Sequence, residues 1–198
     1  MRVTSSTVPD LLTGSFALTW EADYFYGDTR IVSNIPLETV SVDWNASSKV
    51  EGSGSCTIVW TDAVGKSFAP FTVSDYLAPF GSRLALFCRL TVGSFTERIQ
   101  LGVFTVTEIP AADDFTALFN GTRVSVGSRV EVAFMDRLVE VQRDKFTRLS
   151  SPSQLASVYQ EMANLTGFQL TRTVADAAIT AAVPYEEDRL KALGMLRL

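Results

Sequence analysis

No histidine occurs anywhere in the 198 residues. That absence removes the usual base of Ser-His-Asp and Cys-His hydrolases together with the commonest zinc ligand. A conventional peptidase or amidase mechanism is excluded. Cysteine is nearly as scarce: Cys56 and Cys88 are the two copies, each inside an apolar run where a free thiol behaves as a small buried hydrophobe. A disulfide between them would require strand adjacency, which their spacing does not reveal. Charge is sparse as well. Asp, Glu, Lys and Arg make up 20% of the chain, the formal net charge is -5, and the basic residues stand singly. Without a basic patch there is no counterion release to drive binding, so no specific nucleic-acid contact is expected. No basic segment precedes a long apolar run at the N-terminus, and no stretch is long enough to cross a bilayer, so neither a secretion signal nor a membrane span is expected.

What the chain does have is hydrophobicity, with 46% hydrophobic residues, 11% aromatics and a mean hydropathy of +0.17. A chain of this length buries roughly 70% of its unfolded surface, so one or two compact domains are expected. The shortage of polar surface points to large contacts with partner subunits.

From Ser15 to Phe134 the dominant period is two, with many β-branched and aromatic residues and frequent turn signals. Phe16, Leu18 and Trp20 share one face; Val40, Val42 and Trp44 repeat the pattern before the polar turn Asn45-Ala46-Ser47-Ser48. A further strand is expected from about Cys56 to Trp60. Gly52-Ser53-Gly54-Ser55, just before it, reads as a flexible approach. Arg83–Val92 and Arg98–Glu108 form a hairpin across Gly93-Ser94, and Gly127-Ser128 suits a II′ turn between Arg123–Val126 and Arg129–Phe134. So many strands imply a closed or nearly closed barrel, which removes exposed edges.

After Lys145 the period becomes helical. Ser151 is placed to cap a helix, with Pro152 at its first position and Gln154 completing a capping box. Leu155, Val158, Tyr159, Met162 and Leu165 form its apolar stripe, and Gly167 can close it in the left-handed conformation. A second helix should begin near Pro184, with Glu186, Glu187 and Asp188 at its positive end and Leu190, Leu193 and Leu196 as an apolar stripe without an evident mate. The expected fold is therefore mainly β: an antiparallel tube-like β-barrel over residues 1–145, followed by a smaller helical segment over 146–198. That segment reads as the start of a second, incomplete half.

Candidate chemistry is thin. Asp113-Asp114 and the Glu186-Glu187-Asp188 cluster are the visible carboxylate pairs a glycosidase would need, but the first follows Pro110-Ala111-Ala112 in an expected solvated turn and the second suits a helix start. Gly65-Lys66-Ser67 is like the end of a phosphate loop, yet Trp60 stands where the motif requires glycine. The N-x-[ST] matches at Asn45, Asn120 and Asn164 are chance-level in a chain without a secretion signal. Trp20, Tyr24, Phe25, Tyr26, Trp44 and Trp60 could stack sugars or bases, but at strand spacing they read first as core and interface. No catalytic, cofactor-binding or metal-ligating residues are assigned, and no cofactor is expected.

Val40-Ser41-Val42-Asp43-Trp44 followed by Ser55-Cys56-Thr57-Ile58-Val59-Trp60, then Leu77-Ala78-Pro79-Phe80-Gly81, Arg83-Leu84-Ala85-Leu86 and Gln100-Leu101-Gly102-Val103-Phe104-Thr105-Val106 occur in a suggestive order. Val130–Arg137, the segment around Phe146 to Leu165, and Val183-Pro184-Tyr185-Glu186-Glu187-Asp188-Arg189 continue it. This order resembles the tail-hub, or minor tail, proteins of long-tailed bacteriophages, especially those of actinobacteria. The resemblance covers nearly the whole chain from Val40. It implies a non-enzymatic structural subunit at the tail tip of the virion, made in the host bacterial cytoplasm, that joins tail tube to tip and forms part of the DNA channel. It also implies a homotrimer in contact with distal-tail or tail-tube proteins, the tape-measure protein, and tip or fibre proteins. Hubs of this kind usually continue into a second barrel, so the chain is expected to be cut within a longer architecture or completed by a partner. A receptor- or carbohydrate-binding β-module of the tail tip is the alternative reading.

Overall fold

The computed structural model describes residues 15–45, 47–48, 50–61, 67–79, 81–146, 157–172, 174–179, 185 and 188–196. They fall into two compact units: one from the described residues up to Asn45 together with Gly52–Asp136, the other from those of 46–51 and 137–198.

The first unit is a closed antiparallel barrel of six strands: β1 (Ala17–Tyr26), β2 (Thr29–Trp44), β3 (Gly52–Trp60), β4 (Ser82–Val92), β5 (Phe95–Phe119) and β6 (Thr122–Asp136). Its order around the barrel is β1-β2-β3-β6-β5-β4, with β4 pairing back to β1. The period-two pattern puts alternate residues inside. Ala22 and Tyr24, Cys56 and Ile58, Leu84 and Leu86, Phe104 and Val106, and Val130, Val132 and Phe134 fill the interior at 8% exposure or less. The barrel is a packed core and not a pore. Gly102 explains why the Leu-Gly-x-Phe strand closes well: a Cβ there would lie 2.5 Å from the Phe104 ring, so the missing side chain gives that ring its seat. Cys56 and Cys88 are both free and buried, on strands that are not neighbours. Burial pushes the Cys56 thiol up to about 12.

Two expectations about the strands are corrected. Residues 52–55 are not a flexible approach but part of β3, paired with β2 on one side; Ser53, Gly54 and Ser55 also pair with β6 on the other. A Cβ on Gly54 would strike the Ser41 carbonyl oxygen and come within 2.9 Å of the Phe134 ring, so glycine here serves close packing. Gly127-Ser128 is not a turn. Residues 122–136 run as one strand, and the reversal sits at Asn120-Gly121, with φ of 49° and 79° as a two-residue I′ turn requires. The hairpin across Gly93-Ser94 does form, with Gly93 at φ 57°.

The second unit carries three short helices: α1 (Leu138–Arg143), which the sequence did not lead one to expect, α2 (Val158–Thr166) and α3 (Arg189–Met195). Helix α2 starts later than the spacing predicts. Ser157 is extended (φ -80°, ψ 164°) and its hydroxyl accepts a hydrogen bond from Gln160 N at 3.3 Å, so Ser157 is the cap; Ser151, Pro152 and Gln154 lie outside the described residues. Gly167 closes α2 at φ 68°, as expected. Asp188 caps α3 by accepting from Lys191 N at 2.7 Å, while Pro184, Glu186 and Glu187 lie outside the described residues. The stripe on α3 has its mate. Leu190 and Ala192 are buried, and Leu193 and Leu196 pack with Phe146 against Leu165 and Tyr185, whose ring stacks on Phe146 at 5.7 Å. Replacing Ser157 by Ala should cost the second unit about 1 kcal/mol, read as a lower midpoint in thermal unfolding followed by helical circular dichroism. An unchanged midpoint would show that the hydroxyl contributes nothing at this helix end.

Candidate interaction surface

The last position at which β5 pairs with β4 is Thr105, opposite Arg83, whereas β5 stays paired with β6 as far as Phe119–Thr122. On the other flank β3 pairs with β6 no further than Trp60–Ser128. Past these points Phe115–Phe119 and Thr122–Gly127 continue as a two-stranded ribbon. Pro110 falls in the irregular register between Glu108 and Ala111, where β5 is bonded on one side only and an imino acid without N–H is tolerated. The ribbon exposes large apolar side chains among polar ones such as Thr116, Thr122 and Arg123. Leu118 and Phe119 keep 72% and 64% of their surface, and Phe115 and Val126 are also exposed. Each such side chain gains about 1.5–3 kcal/mol when fully buried, and an isolated hairpin is only marginally stable in water, so covering this element would stabilise it.

The strand ends at the same end of the barrel are closed by the segment that links β3 to β4. Phe68, Ala69 and Leu77 are buried, and Phe68 meets Trp60, Tyr76 and Tyr24 with ring centroids 4.9, 5.4 and 6.4 Å apart, an aromatic plug over the core. Between these anchors Phe71 and Val73 point out, both more than 70% exposed. Asp75 fixes the loop: its Oδ2 accepts from Phe71 N at 2.9 Å and Thr72 N at 2.7 Å, and these bonds hold its carboxyl below the usual carboxylate range.

The outer wall holds an ion network instead of an apolar patch. Glu21 and Asp23 face outward from β1 yet are 7% and 2% exposed. Arg98 of β5 reaches both, with Nε 2.5 Å from Glu21 Oε1 and Nη2 2.6 Å from Asp23 Oδ1, while its guanidinium lies 3.4 Å over the Phe87 ring. Arg89 adds a bond to Glu21 at 2.9 Å, and Arg30 stands 3.6 Å from Asp23. Asp23 also accepts from Asn34 N at 2.9 Å, which satisfies the backbone where β2 takes a positive φ of 57°. Burial works to raise the Asp23 pKa, but the Arg98 and Asn34 hydrogen bonds and the charges of Arg98 and Arg30 outweigh it, and the carboxyl sits below its ordinary value.

No family model and no curated protein sequence matches the chain. Among solved structures there is a weak likeness to the 43 kDa tail protein of prophage MuSo2 from Shewanella oneidensis, with a TM-score of 0.46 at 10% identity. The superposition takes in 92% of this chain and 50% of that one, so the chain spans half the length of that tail protein.

Of the carboxylates singled out for chemistry, Asp113, Asp114 and Asp188 are among the described residues. Asp113 and Asp114 are not in a turn but within β5, opposite Arg129 and Ser128, and Asp114 accepts from Ser125 Oγ at 2.6 Å. Asp188 is a helix cap in the other unit. Ser67 spends its hydroxyl on Ala69 N; Gly65 and Lys66 lie outside the described residues. The six aromatics do not form one platform: Tyr24 is core, Trp20 and Trp60 pack against the core, and Trp44 is exposed at the opposite end from Tyr26. Among the described residues no cluster of acidic or cysteine side chains could hold a metal ion, and no helix is long and apolar enough to cross a membrane. Arg123–Val126 forms a strand as expected but pairs with Phe115–Phe119 instead of Arg129–Phe134, and Asn120-Gly121 between alternating residues is the signal in the sequence that marks this reversal.

Proposed function

We propose that the chain is a structural subunit of a bacteriophage tail, a hub at the tail tip with no catalytic role. The observation that carries this reading is the β5–β6 ribbon with its exposed Phe115, Leu118, Phe119 and Val126, an assembly element standing clear of a finished barrel. The ordered likeness from Val40 onward to tail-hub proteins supports it, and so does a sequence that offers no histidine and places its acidic candidates in strand pairing and helix capping. Three copies form a ring on the tail axis, contacting the tail tube or distal-tail proteins above, the tape-measure protein within, and tip or fibre proteins below. Because each barrel is filled with side chains, the DNA passes between copies, and an acidic ring discourages it from sticking.

A map of the intact virion tests this reading. The expected result is one threefold ring of this chain at the tail tip; a peripheral position or a sixfold ring overturns it. A second prediction concerns the ribbon: the Leu118→Asp, Phe119→Asp double variant should keep its barrel fold by circular dichroism and fail to enter tails when supplied as the sole copy. Normal incorporation would remove the ribbon from the assembly.

A further inference from the structure

We infer that the cleft between the β1–β2 hairpin and the 71–76 loop is a binding site for a neutral pyranose sugar. The cleft has a volume of about 340 Å³ and is lined by Tyr26, Ile31, Val73, Ser74, Asp75 and Tyr76 above the buried Tyr24. Its chemistry is that of a polyol site. Three hydroxyls, on Tyr26, Ser74 and Tyr76, stand with one carboxylate on an otherwise apolar and aromatic lining. A pyranose presents the same mixture: an apolar C–H face that packs on an aromatic ring, and a rim of hydroxyls that both donate and accept.

The site is also held in place before any ligand arrives. Gly27 N bonds Gly81 O at 2.9 Å, and the Tyr26 ring lies against Gly81, where a Cβ would be 3.4 Å away. The loop is fixed by the two bonds to Asp75 Oδ2, by Ala78 N to Asp75 O at 3.3 Å, and by the contact of Thr72 and Ser74 hydroxyls at 3.0 Å. The Thr72 side chain bonds the Asp75 carboxyl as well, so the only carboxylate among the described lining residues is held in one orientation at the cleft. Fixed walls spare the ligand the cost of ordering them.

The lining also says what is refused. Among the described residues it contains no Lys or Arg, and its carboxylate repels acidic sugars and phosphates. An organic cation would find the carboxylate and the rings but would leave the three hydroxyls without a role. Glycoside hydrolysis ordinarily uses two carboxyl groups, and among the described residues one lines this cleft, so the inference is of binding alone. None of this depends on a ring of subunits, so the sugar site and the hub reading stand or fall separately.

Titration of the full chain, labelled for nuclear magnetic resonance, with methyl β-glucoside, methyl β-N-acetylglucosaminide and their trisaccharide homologues tests the inference. Saturable shifts in the residues of this cleft are expected, with Kd of about 1 mM for the best single sugar, and much weaker response to glucuronic acid. Tyr26→Ala and Ser74→Ala should each weaken binding at least about tenfold while keeping the parent's folded circular-dichroism spectrum, because both side chains are exposed. The inference is overturned if no neutral sugar saturates the cleft, if choline or arginine methyl ester binds there in preference, or if both variants bind as the parent does.

Discussion

Phe104→Ala should lower the free energy of unfolding of the barrel by about 4 kcal/mol, a large part of what holds a domain of this size together. Phe104 is fully buried, its ring centroid is 4.8 Å from that of Phe134 and 5.9 Å from that of Trp44, and it fills the space left by Gly102. Truncation removes a ring from the centre of the core, and the closed sheet cannot collapse inward to fill the hole, since every strand is tied to two neighbours. Urea unfolding followed by tryptophan fluorescence measures the loss. A value under about 1 kcal/mol would mean that this ring is not the packing centre described here.

The second large effect is Arg98→Ala, expected to cost about 3 kcal/mol at pH 7. Its removal leaves Glu21 and Asp23 covered by protein with Arg89 and Arg30 as their cationic partners among the described residues, and uncovers the face of Phe87. The cost comes mainly from stranding two carboxylates, so Arg98→Lys should restore little; an ammonium cannot form the fork to both acids while lying flat on a ring. The same network gives the parent protein a pH signature. Asp23 has a lower pKa folded than unfolded, so its contribution is complete above the unfolded value near 3.9 and is lost as pH falls through the folded one. Stability measured from pH 7 down to pH 2 should therefore fall below about pH 4, with a shallower fall in Asp23→Asn. Parallel curves for parent and variant would remove Asp23 as a source of acid sensitivity.

Much of the barrel was legible from residues alone because each strand is half buried, which forces alternation and thereby announces itself. Cys56 and Ile58, or Leu84 and Leu86, need no tertiary information to be assigned inward. The turn at Gly93-Ser94 and the left-handed cap at Gly167 were equally plain, since each rests on a backbone conformation that glycine adopts without strain. The reading failed where one residue type serves two uses. Glycine at 52, 54 and 127 signals a loop to a reader of sequence, but in a sheet it also permits close approach, and which use applies depends on what lies opposite.

By itself, then, the sequence determined an all-β core of antiparallel strands, a helical end segment and the exclusion of histidine chemistry, because composition and period act within a few residues of one another. Only the tertiary structure decided which strands are neighbours, and with that everything that depends on long-range pairing. It brings Arg98 to Glu21 and Asp23 across 77 and 75 positions of chain, leaves the β5–β6 ribbon uncovered past the last rungs of β3 and β4, and seats Tyr26 beside Asp75. Such contacts follow from the order in which the strands close the barrel, and no local period records that order.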